Sequence, residues 1–234
     1  MYNFRRLTER DKEILTWIAR HGFVTAKQIE TFFGISRQIS YRILRKLKDY
    51  EYVKNELVMR TLGLFYATEE GIEAVEVDVK YIKVGNFNLN EIRHELMLID
   101  LEITLMMQDK KEGIESKWMT LREIKHQKYK NAERIESKNV KKGTLVKGVK
   151  DMVPDSYWIR GGHTAAIELE LTRKDKGRIE KKLKIYDAEI AAGRIAAVMY
   201  YTDKEMIKNL LESQRGVMEH SSRLIIRDFP KVGE

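Results

Sequence analysis

Cysteine is absent from the 234-residue chain, and proline occurs only at Pro154 and Pro230. Without cysteine the chain can form neither a disulfide framework nor a thiolate metal site, which is consistent with a reducing compartment. The first residues contain no apolar signal core, and no segment approaches the length of a membrane span. We therefore expect a cytoplasmic protein that has no membrane partner.

Charge, by contrast, is abundant and unbalanced. Charged residues make up 34% of the chain and hydrophobic residues 43%, with a formal net charge of +8 and a pI near 9.4. This length and composition fit a globular protein with one large or two medium domains. The basic excess favours a polyanionic partner, and a nucleic acid is the first expectation.

Residues 25–50 have the pattern of two short helices joined by a tight turn. Gly34 separates the helices, since glycine readily adopts the left-handed conformation that a close turn needs. Ser36 is placed to cap the second helix. The apolar residues of that helix recur at three- and four-residue steps: Ile39, Ile43, Leu44 and Leu47. Such a pair is typical of a helix-turn-helix, and an ordinary helical pair with a solvated basic face is the alternative.

The flanking segments favour a winged helix-turn-helix. Thr8 and Asp11 form a capping-box pattern at the start of a helix over residues 8–21. Residues 52–66 alternate like strands, with Asn55–Glu56 and Gly63 predicted as turns, and a further helix runs from Thr68 to about Val77. Three helices followed by a small hairpin predict a DNA-binding domain over residues 1–77.

Two sets of side chains are the predicted DNA contacts. Polar side chains of the second helix are expected to approach base edges: Arg37, Gln38, Ser40, Tyr41 and Arg42. Basic side chains of that helix and of the hairpin are expected to meet phosphates: Arg45, Lys46, Lys48, Lys54 and Arg60.

The remainder of the chain predicts a connector over residues 78–87, with a short strand at Tyr81–Val84, and a mixed α/β domain over residues 88–234. The pattern gives a two-sided apolar helix over 88–108, a strand over 117–122 and an irregular basic loop over 128–150. A hairpin over 153–172 turns at Gly161–Gly162. The helices 174–192 and 203–215 then alternate with the strands 194–202 and 223–228. The basic loop includes Lys141, Lys142, Lys147 and Lys150; ordering on nucleic acid and a solvated surface loop are both open. The fold class is therefore α+β.

Acidic residues cluster in the predicted hairpin of this domain. Asp155 begins one strand, and Glu168 and Glu170 point to the same face of its partner because side chains alternate along a strand. Glu95 lies within the preceding long helix. Oxygen ligands of this kind suit Mg²⁺ or Mn²⁺.

These acids resemble the core of the PD-(D/E)xK nuclease superfamily, in which three acids hold the metal ion that activates water. Glu95, Asp155 and Glu168 match the three acids, whereas Glu170 occupies the position of the lysine. The resemblance implies that a lysine on the following helix, such as Lys182, replaces it. A Mg²⁺-dependent endonuclease (nickase) targeted by the winged helix is thus one functional reading.

Several longer stretches resemble the replication-relaxation proteins of plasmids, integrative elements and phages: LTERDKEILTWIARHGFVTAKQIETFFG, RHELMLIDL, PDSYW and AIELELTRKDKGRIEKKLKIY. The resemblance implies sequence-specific binding of double-stranded DNA in replication, mobilisation or its transcriptional regulation, without a required cofactor. A homodimer, with a relaxase or replication initiator as a further partner, is the expected assembly. A pure protein-interaction scaffold is the third reading.

Overall fold

The computed structural model describes residues 6–58, 60–136 and 153–230. The chain divides into two compact units, Met1–Ile103 and Thr104–Glu234. Most of the predicted basic loop over 128–150, including Lys141, Lys142, Lys147 and Lys150, lies outside the described residues.

The first unit begins with three helices: α1 (Glu9–His21), α2 (Ala26–Phe33) and α3 (Arg37–Asp49). The capping box at α1 is confirmed, because Thr8 accepts from the Asp11 amide and the Asp11 carboxylate accepts from the Thr8 amide. Gly34 ends α2 in the left-handed conformation with φ 61°. Ser36 caps α3 by accepting from the Ile39 amide. The predicted helix-turn-helix therefore forms as the local signals indicate.

A two-stranded antiparallel hairpin follows, formed by β1 (Val53–Val58) and β2 (Leu62–Ala67). The predicted turns at Asn55–Glu56 and Gly63 are wrong, since these residues lie within the strands and Arg60, with φ 63°, lies in the connection. Lys54 and Asn55 of β1 are both exposed although they point to opposite faces of the hairpin. Helix α4 (Glu69–Ala74) ends three residues earlier than predicted.

Helix α5 (Leu89–Glu112) contributes its first half to the core of the first unit. Ile99 and Ile103 of α5 are buried with Leu44 and Leu47 of α3 in one apolar cluster. This unit therefore extends to Ile103, whereas the predicted boundary was residue 77. The predicted strand at Tyr81–Val84 does not form; a 3₁₀ turn, Val84–Asn86, precedes α5.

Buried polar contacts also hold α5 to the helices of the first unit. The Gln28 amide of α2 donates to the Asp100 carboxylate at 2.8 Å and to the Leu96 carbonyl at 2.9 Å. His21 Nε2 of α1 lies 2.8 Å from Glu102 Oε2, and both side chains are buried. Because such contacts need defined geometry, they fix the register of α5 against α1 and α2.

The second unit contains a five-stranded sheet in the order β3-β4-β5-β6-β7. Its strands are Ser116–Thr120, Ser156–Arg160, His163–Leu169, Ala197–Tyr201 and Leu224–Arg227. Pairing is antiparallel from β3 to β5 and parallel from β5 to β7. The hairpin turn at Gly161–Gly162 is confirmed, with φ 54° and 81°.

Among the described residues, three helices lie between these strands: α6 (Leu121–Glu136), α7 (Lys176–Ala191) and α8 (Glu205–Ser213). Part of the predicted irregular loop is instead the end of α6, which starts directly after β3. A capping box explains this start, since Thr120 Oγ1 accepts from the Glu123 amide and Glu123 Oε2 accepts from the Thr120 amide. No helix of the described residues has the length and apolar character needed to span a membrane.

The core of the second unit lies where α7 and α8 pack on the sheet. Leu183 and Leu211 from these helices are fully buried, as is Val198 of β6. Crossovers containing helices join the parallel strands, as parallel pairing requires. The predicted winged helix followed by a mixed α/β domain is therefore confirmed.

Gly71 of α4 offers a test of this packing. A Cβ at this position would lie 2.1 Å from the Tyr52 carbonyl oxygen, so backbone would have to move. We expect Gly71→Ala to lower the free energy of unfolding by roughly 1–3 kcal/mol, the usual cost of overpacking. Urea unfolding measures the change.

Gly63→Ala is the matched control, because a Cβ there meets no atom within 4 Å. Its free energy of unfolding should stay within about 1 kcal/mol of the parent. Equal stability of both variants would contradict the close approach of α4 to Tyr52.

Candidate nucleic-acid interface and buried carboxylate cluster

Helix α3 presents a polar, basic surface opposite its buried side. Ile43, Leu44 and Leu47 are at most 6% exposed. The exposed side carries six of the predicted contact residues: Arg37, Gln38, Tyr41, Arg42, Arg45 and Lys48. The burial pattern therefore turns these side chains outward together.

The arginines of this surface are available to an external anion. Within the described ranges, no acidic side chain forms an ion pair with Arg37, Arg42 or Arg45. The Arg37 guanidinium instead lies 5.5 Å from the centre of the exposed Tyr41 ring. That contact restrains both side chains without neutralising the arginine charge.

Two predicted contacts on α3 are placed differently. Ser40 is fully buried, so the expectation that it reads a base edge does not hold. Helical spacing was the available signal, since Ser40 lies three and four residues before the buried Ile43 and Leu44. Lys46 lies 2.7 Å from the buried Asp11 carboxylate. Although burial raises the pKa of Asp11, hydrogen bonds from Lys46 and Thr8 lower it overall. The charge of Lys46 is therefore partly neutralised by Asp11 within the first unit.

The remaining basic contacts lie around the hairpin. Lys48 Nζ donates to Asn55 Oδ1 at 2.5 Å, which links the end of α3 to β1. Lys54 is exposed on β1, and Arg60 is exposed in the connection between the strands. The hairpin thus adds two exposed cations to the first unit.

The second unit contains a cluster of buried carboxylates at the end of β5. Glu168 is 0% exposed and Glu170 is 3% exposed. Tyr186 donates to Glu168 Oε1, and Lys182 Nζ donates to Oε2 at 2.6 Å. Lys174 Nζ lies 2.5 Å from Glu170 Oε2. Each buried acid thus has a lysine partner, as buried charges require.

Asp155 interacts with this cluster through a hydrogen bond to the backbone and through its negative charge. Its Oδ2 accepts from the Leu169 amide at 2.9 Å. Burial, and then the charge of Asp155, raise the pKa of Glu168 to about 7 despite the opposing effect of Lys182. Burial also raises the pKa of Glu170, against the lowering effect of Lys174. The cluster therefore holds one acid, Glu168, whose pKa lies near neutral, and a second, Glu170, whose pKa is raised.

The structure brings together Asp155, Glu168, Glu170 and Lys182, but Glu95 belongs to the first unit. Glu95 Oε1 lies 3.9 Å from His94 Nδ1 and is 26% exposed. In the described part of the chain, no group of three or more His, Asp or Glu side chains is arranged to hold a metal ion.

Tyr186 is a polar member of the cluster that is absent from the predicted site residues. Its spacing was the available signal, since Lys182 and Tyr186 are four residues apart and share one side of α7. Lys174 likewise stands four residues after its partner Glu170.

Comparison with known proteins finds a family match over most of the chain. The family described as replication-relaxation matches residues 15–199. No curated protein matches.

Two solved structures are weakly similar. One is a mutant of ZitR from Lactococcus lactis, with 20% identity, a TM-score of 0.29, and coverage of 32% of this chain and 53% of that chain. The other is the transcriptional regulator SlyA, with 15% identity, a TM-score of 0.30, and coverage of 45% and 78%. This chain spans about half the length of the ZitR chain.

Glu168→Gln should remove a pH dependence of stability. The pKa of Glu168 is raised from 4.5 to about 7, so the folded state binds this proton more tightly than the unfolded state. The free energy of unfolding therefore falls as pH rises through this window, by an amount on the order of 3 kcal/mol, and changes no further above it. Because glutamine does not titrate, urea unfolding of the variant should show a correspondingly smaller decline.

Exposed Glu115 provides the control. Glu115→Gln should keep the decline of the parent between these pH values. If Glu168→Gln also kept it, the assignment of the titrating group would be wrong.

Proposed function

Because the chain belongs to the replication-relaxation family, we propose that it is a sequence-specific double-stranded DNA-binding protein. Its context would be plasmid or mobile-element replication, mobilisation or its transcriptional regulation. The observation that carries the proposal is the exposed face of α3, with Arg37, Arg42 and Arg45 outside any ion pair with an acid of the described residues. A helix of this kind fits the major groove.

The side chains of α3 divide by their chemistry. Arg37 and Arg42 have the planar donors that bind guanine O6 and N7, and Gln38 can pair with adenine N6 and N7. The contact of Arg37 with Tyr41 restrains its guanidinium before DNA arrives. These residues would therefore read the base edges.

The remaining cations would hold the DNA backbone: Arg45, Lys48, Lys54 and Arg60. Their side chains extend from the end of α3 to the hairpin, so they would contact phosphates on either side of the groove. The hydrogen bond between Lys48 and Asn55 supports this arrangement, since it couples the hairpin to α3.

A cytoplasmic homodimer is part of this proposal. Two copies would place two α3 helices on half-sites about one helical turn apart. The second unit would then be available to recruit a relaxase or replication initiator.

Arg42→Gln and Arg45→Gln should affect DNA binding in different ways. Loss of a base contact at Arg42 should cost about 1–3 kcal/mol on the preferred site and relax preference at particular positions. Loss of a phosphate contact at Arg45 should weaken binding to all duplexes and lower the salt slope by about one. Site selection from a random duplex pool, followed by affinity measurements across salt concentrations, tests both.

Lys83→Gln is the control, because Lys83 is an exposed cation outside α3 and the hairpin. It should leave affinity and site preference unchanged. Binding that is insensitive to salt, or equal losses on every duplex for both arginine variants, would count against base reading by α3.

A second candidate function is a Mg²⁺-dependent endonuclease, or nickase, targeted by the winged helix. The observation that favours it is Lys182, whose ammonium lies 2.6 Å from Glu168 although Glu170 stands where a lysine was expected. Asp155, Glu168 and Glu170 have the oxygen chemistry of a Mg²⁺ or Mn²⁺ site. Such an ion would supply an activated water and charge neutralisation.

The fit of these residues to a cation is mixed. Repulsion from Asp155 adds to burial in raising the pKa of Glu168, and a cation would relieve it. Both oxygens of Glu168 are, however, already hydrogen-bonded by Tyr186 and Lys182. Once Lys174 and Lys182 were released from Glu170 and Glu168, their ammonium groups would bind and orient a phosphate.

The nuclease hypothesis predicts divalent-cation-dependent nicking of supercoiled plasmid DNA. Asp155→Ala and Glu168→Ala should each abolish nicking, because each removes a carboxylate ligand. Agarose gels of plasmid incubated with Mg²⁺ or Mn²⁺ measure the product. Glu115→Gln should nick like the parent, whereas absence of nicking by the parent on every topology would eliminate the hypothesis.

A further inference from the structure

The start of α7 carries exposed cations that the winged helix does not use. Residues 173–184 contain seven basic side chains and two acids. Five of the basic side chains are exposed. Lys184 pairs with Glu180, and the other four form what we call the α7 patch: Arg173, Lys176, Arg178 and Lys181. This patch lies in the Thr104–Glu234 unit and therefore apart in sequence from α3.

The acids in this segment are already engaged. Asp175 caps α7 by accepting from the Gly177 and Arg178 amides. Glu180 accepts from Lys184 at 2.8 Å. This hydrogen bond and, less strongly, the charge of Lys176 lower the pKa of Glu180. Lys184 therefore offsets most of the charge of Glu180, and the four cations of the patch exceed the one remaining acid, Asp175.

The cations themselves are differently placed. Across residues 6–58, 60–136 and 153–230, no acidic side chain forms an ion pair with Arg173 or Lys181. Arg178 and Lys181 are one helical turn apart and lie on the side of α7 away from the buried Ile179 and Leu183. Cations thus run along the solvent side of the helix.

Two further lysines connect the patch to the buried acids of β5. Lys174 is paired with Glu170 and Lys182 with Glu168, so these four charges compensate one another. The surplus of positive charge therefore belongs to the exposed patch. Because Lys182 and Tyr186 anchor α7 to Glu168, the patch is held in a fixed position on its unit.

We propose that the α7 patch is a second nucleic-acid-binding surface, which contacts the phosphodiester backbone without reading sequence. Arginine and lysine side chains without base-reading geometry are typical of phosphate contacts. None of the large exposed hydrophobic side chains of the described residues lies in the patch, which disfavours a protein interface or membrane insertion. Duplex and single-stranded DNA share this phosphate chemistry.

Such a surface would give the protein two contacts with one DNA molecule. The first would be the sequence-reading face of α3. The second would be the α7 patch, which would bind the phosphates of neighbouring duplex DNA or of a separated single strand. Tethered contacts raise the apparent affinity because the second binding step becomes intramolecular.

The test uses the full chain carrying Arg173→Gln, Lys176→Gln and Lys181→Gln together. Affinities for a duplex without the preferred site and for a single-stranded oligonucleotide are measured by fluorescence anisotropy across salt concentrations. We expect about tenfold weaker binding at low salt and a salt slope lower by about three on the strand type that the patch holds. A larger loss on duplex or on single strand identifies which of the two is bound.

The matched control is Lys110→Gln, Lys111→Gln and Lys117→Gln, three exposed lysines of the same unit with the same change in net charge. This control should bind nearly as well as the parent. Equal losses in the two triple variants, or no loss in the α7 variant, would overturn the proposal. Unfolding temperatures of all variants should match that of the parent, since the changed side chains are exposed.

A third variant, Arg42→Gln with Arg45→Gln, separates this proposal from the function of α3. It should lose the preferred site but keep the salt-dependent binding that the α7 patch provides. If it lost all binding while the α7 variant lost none, α3 alone would hold the DNA.

Discussion

The orientation of α3 depends on the burial of its apolar stripe. Ile43, Leu44 and Leu47 pack into the core of the first unit, and the left-handed turn at Gly34 sets the direction in which α3 leaves α2. A helix buried on one side can present only its other side, so the arginines of α3 face outward as a consequence of packing. The apolar core thus determines which cations can meet an external polyanion.

In the second unit, the buried carboxylate of Glu168 determines which side of a helix faces solvent, as the apolar core does for α3. Ionised Glu168 within the protein would be strongly unfavourable alone, and Lys182 and Tyr186 reduce that cost from one side of α7. The same contacts fix α7 against β5, and the helix then exposes its opposite side. A single polar cluster therefore positions the surface that we propose binds phosphate and the carboxylates of the nuclease hypothesis.

Local signals in the sequence predicted much of this fold. The capping pair Thr8 and Asp11, the turn at Gly34 and the paired glycines 161–162 act within a few residues, so no tertiary information was needed. Longer-range features were harder. The sequence predicts a turn at Asn55, which lies in a strand, because an exposed strand and a turn share polar composition.

The candidate sites show the same distinction. The exposed positions of α3 follow from helical periodicity. The same periodicity places Ser40 with the buried Ile43 and Leu44, but its polar side chain favours the wrong expectation of an exposed contact. The lysine that faces Glu168 could be limited to α7 from the sequence, and the contact itself selects Lys182. The role of Tyr186 remained hidden, since a tyrosine at a core position usually reports packing alone.

The extension of the first core to α5 has a practical consequence for anyone who studies the winged helix in isolation. A fragment ended at residue 77 would lack Ile99 and Ile103, leave Gln28 without its partners on α5, and expose apolar surface that promotes aggregation. A fragment that retains residues 78–103 together with the three helices is therefore the appropriate one for spectroscopy.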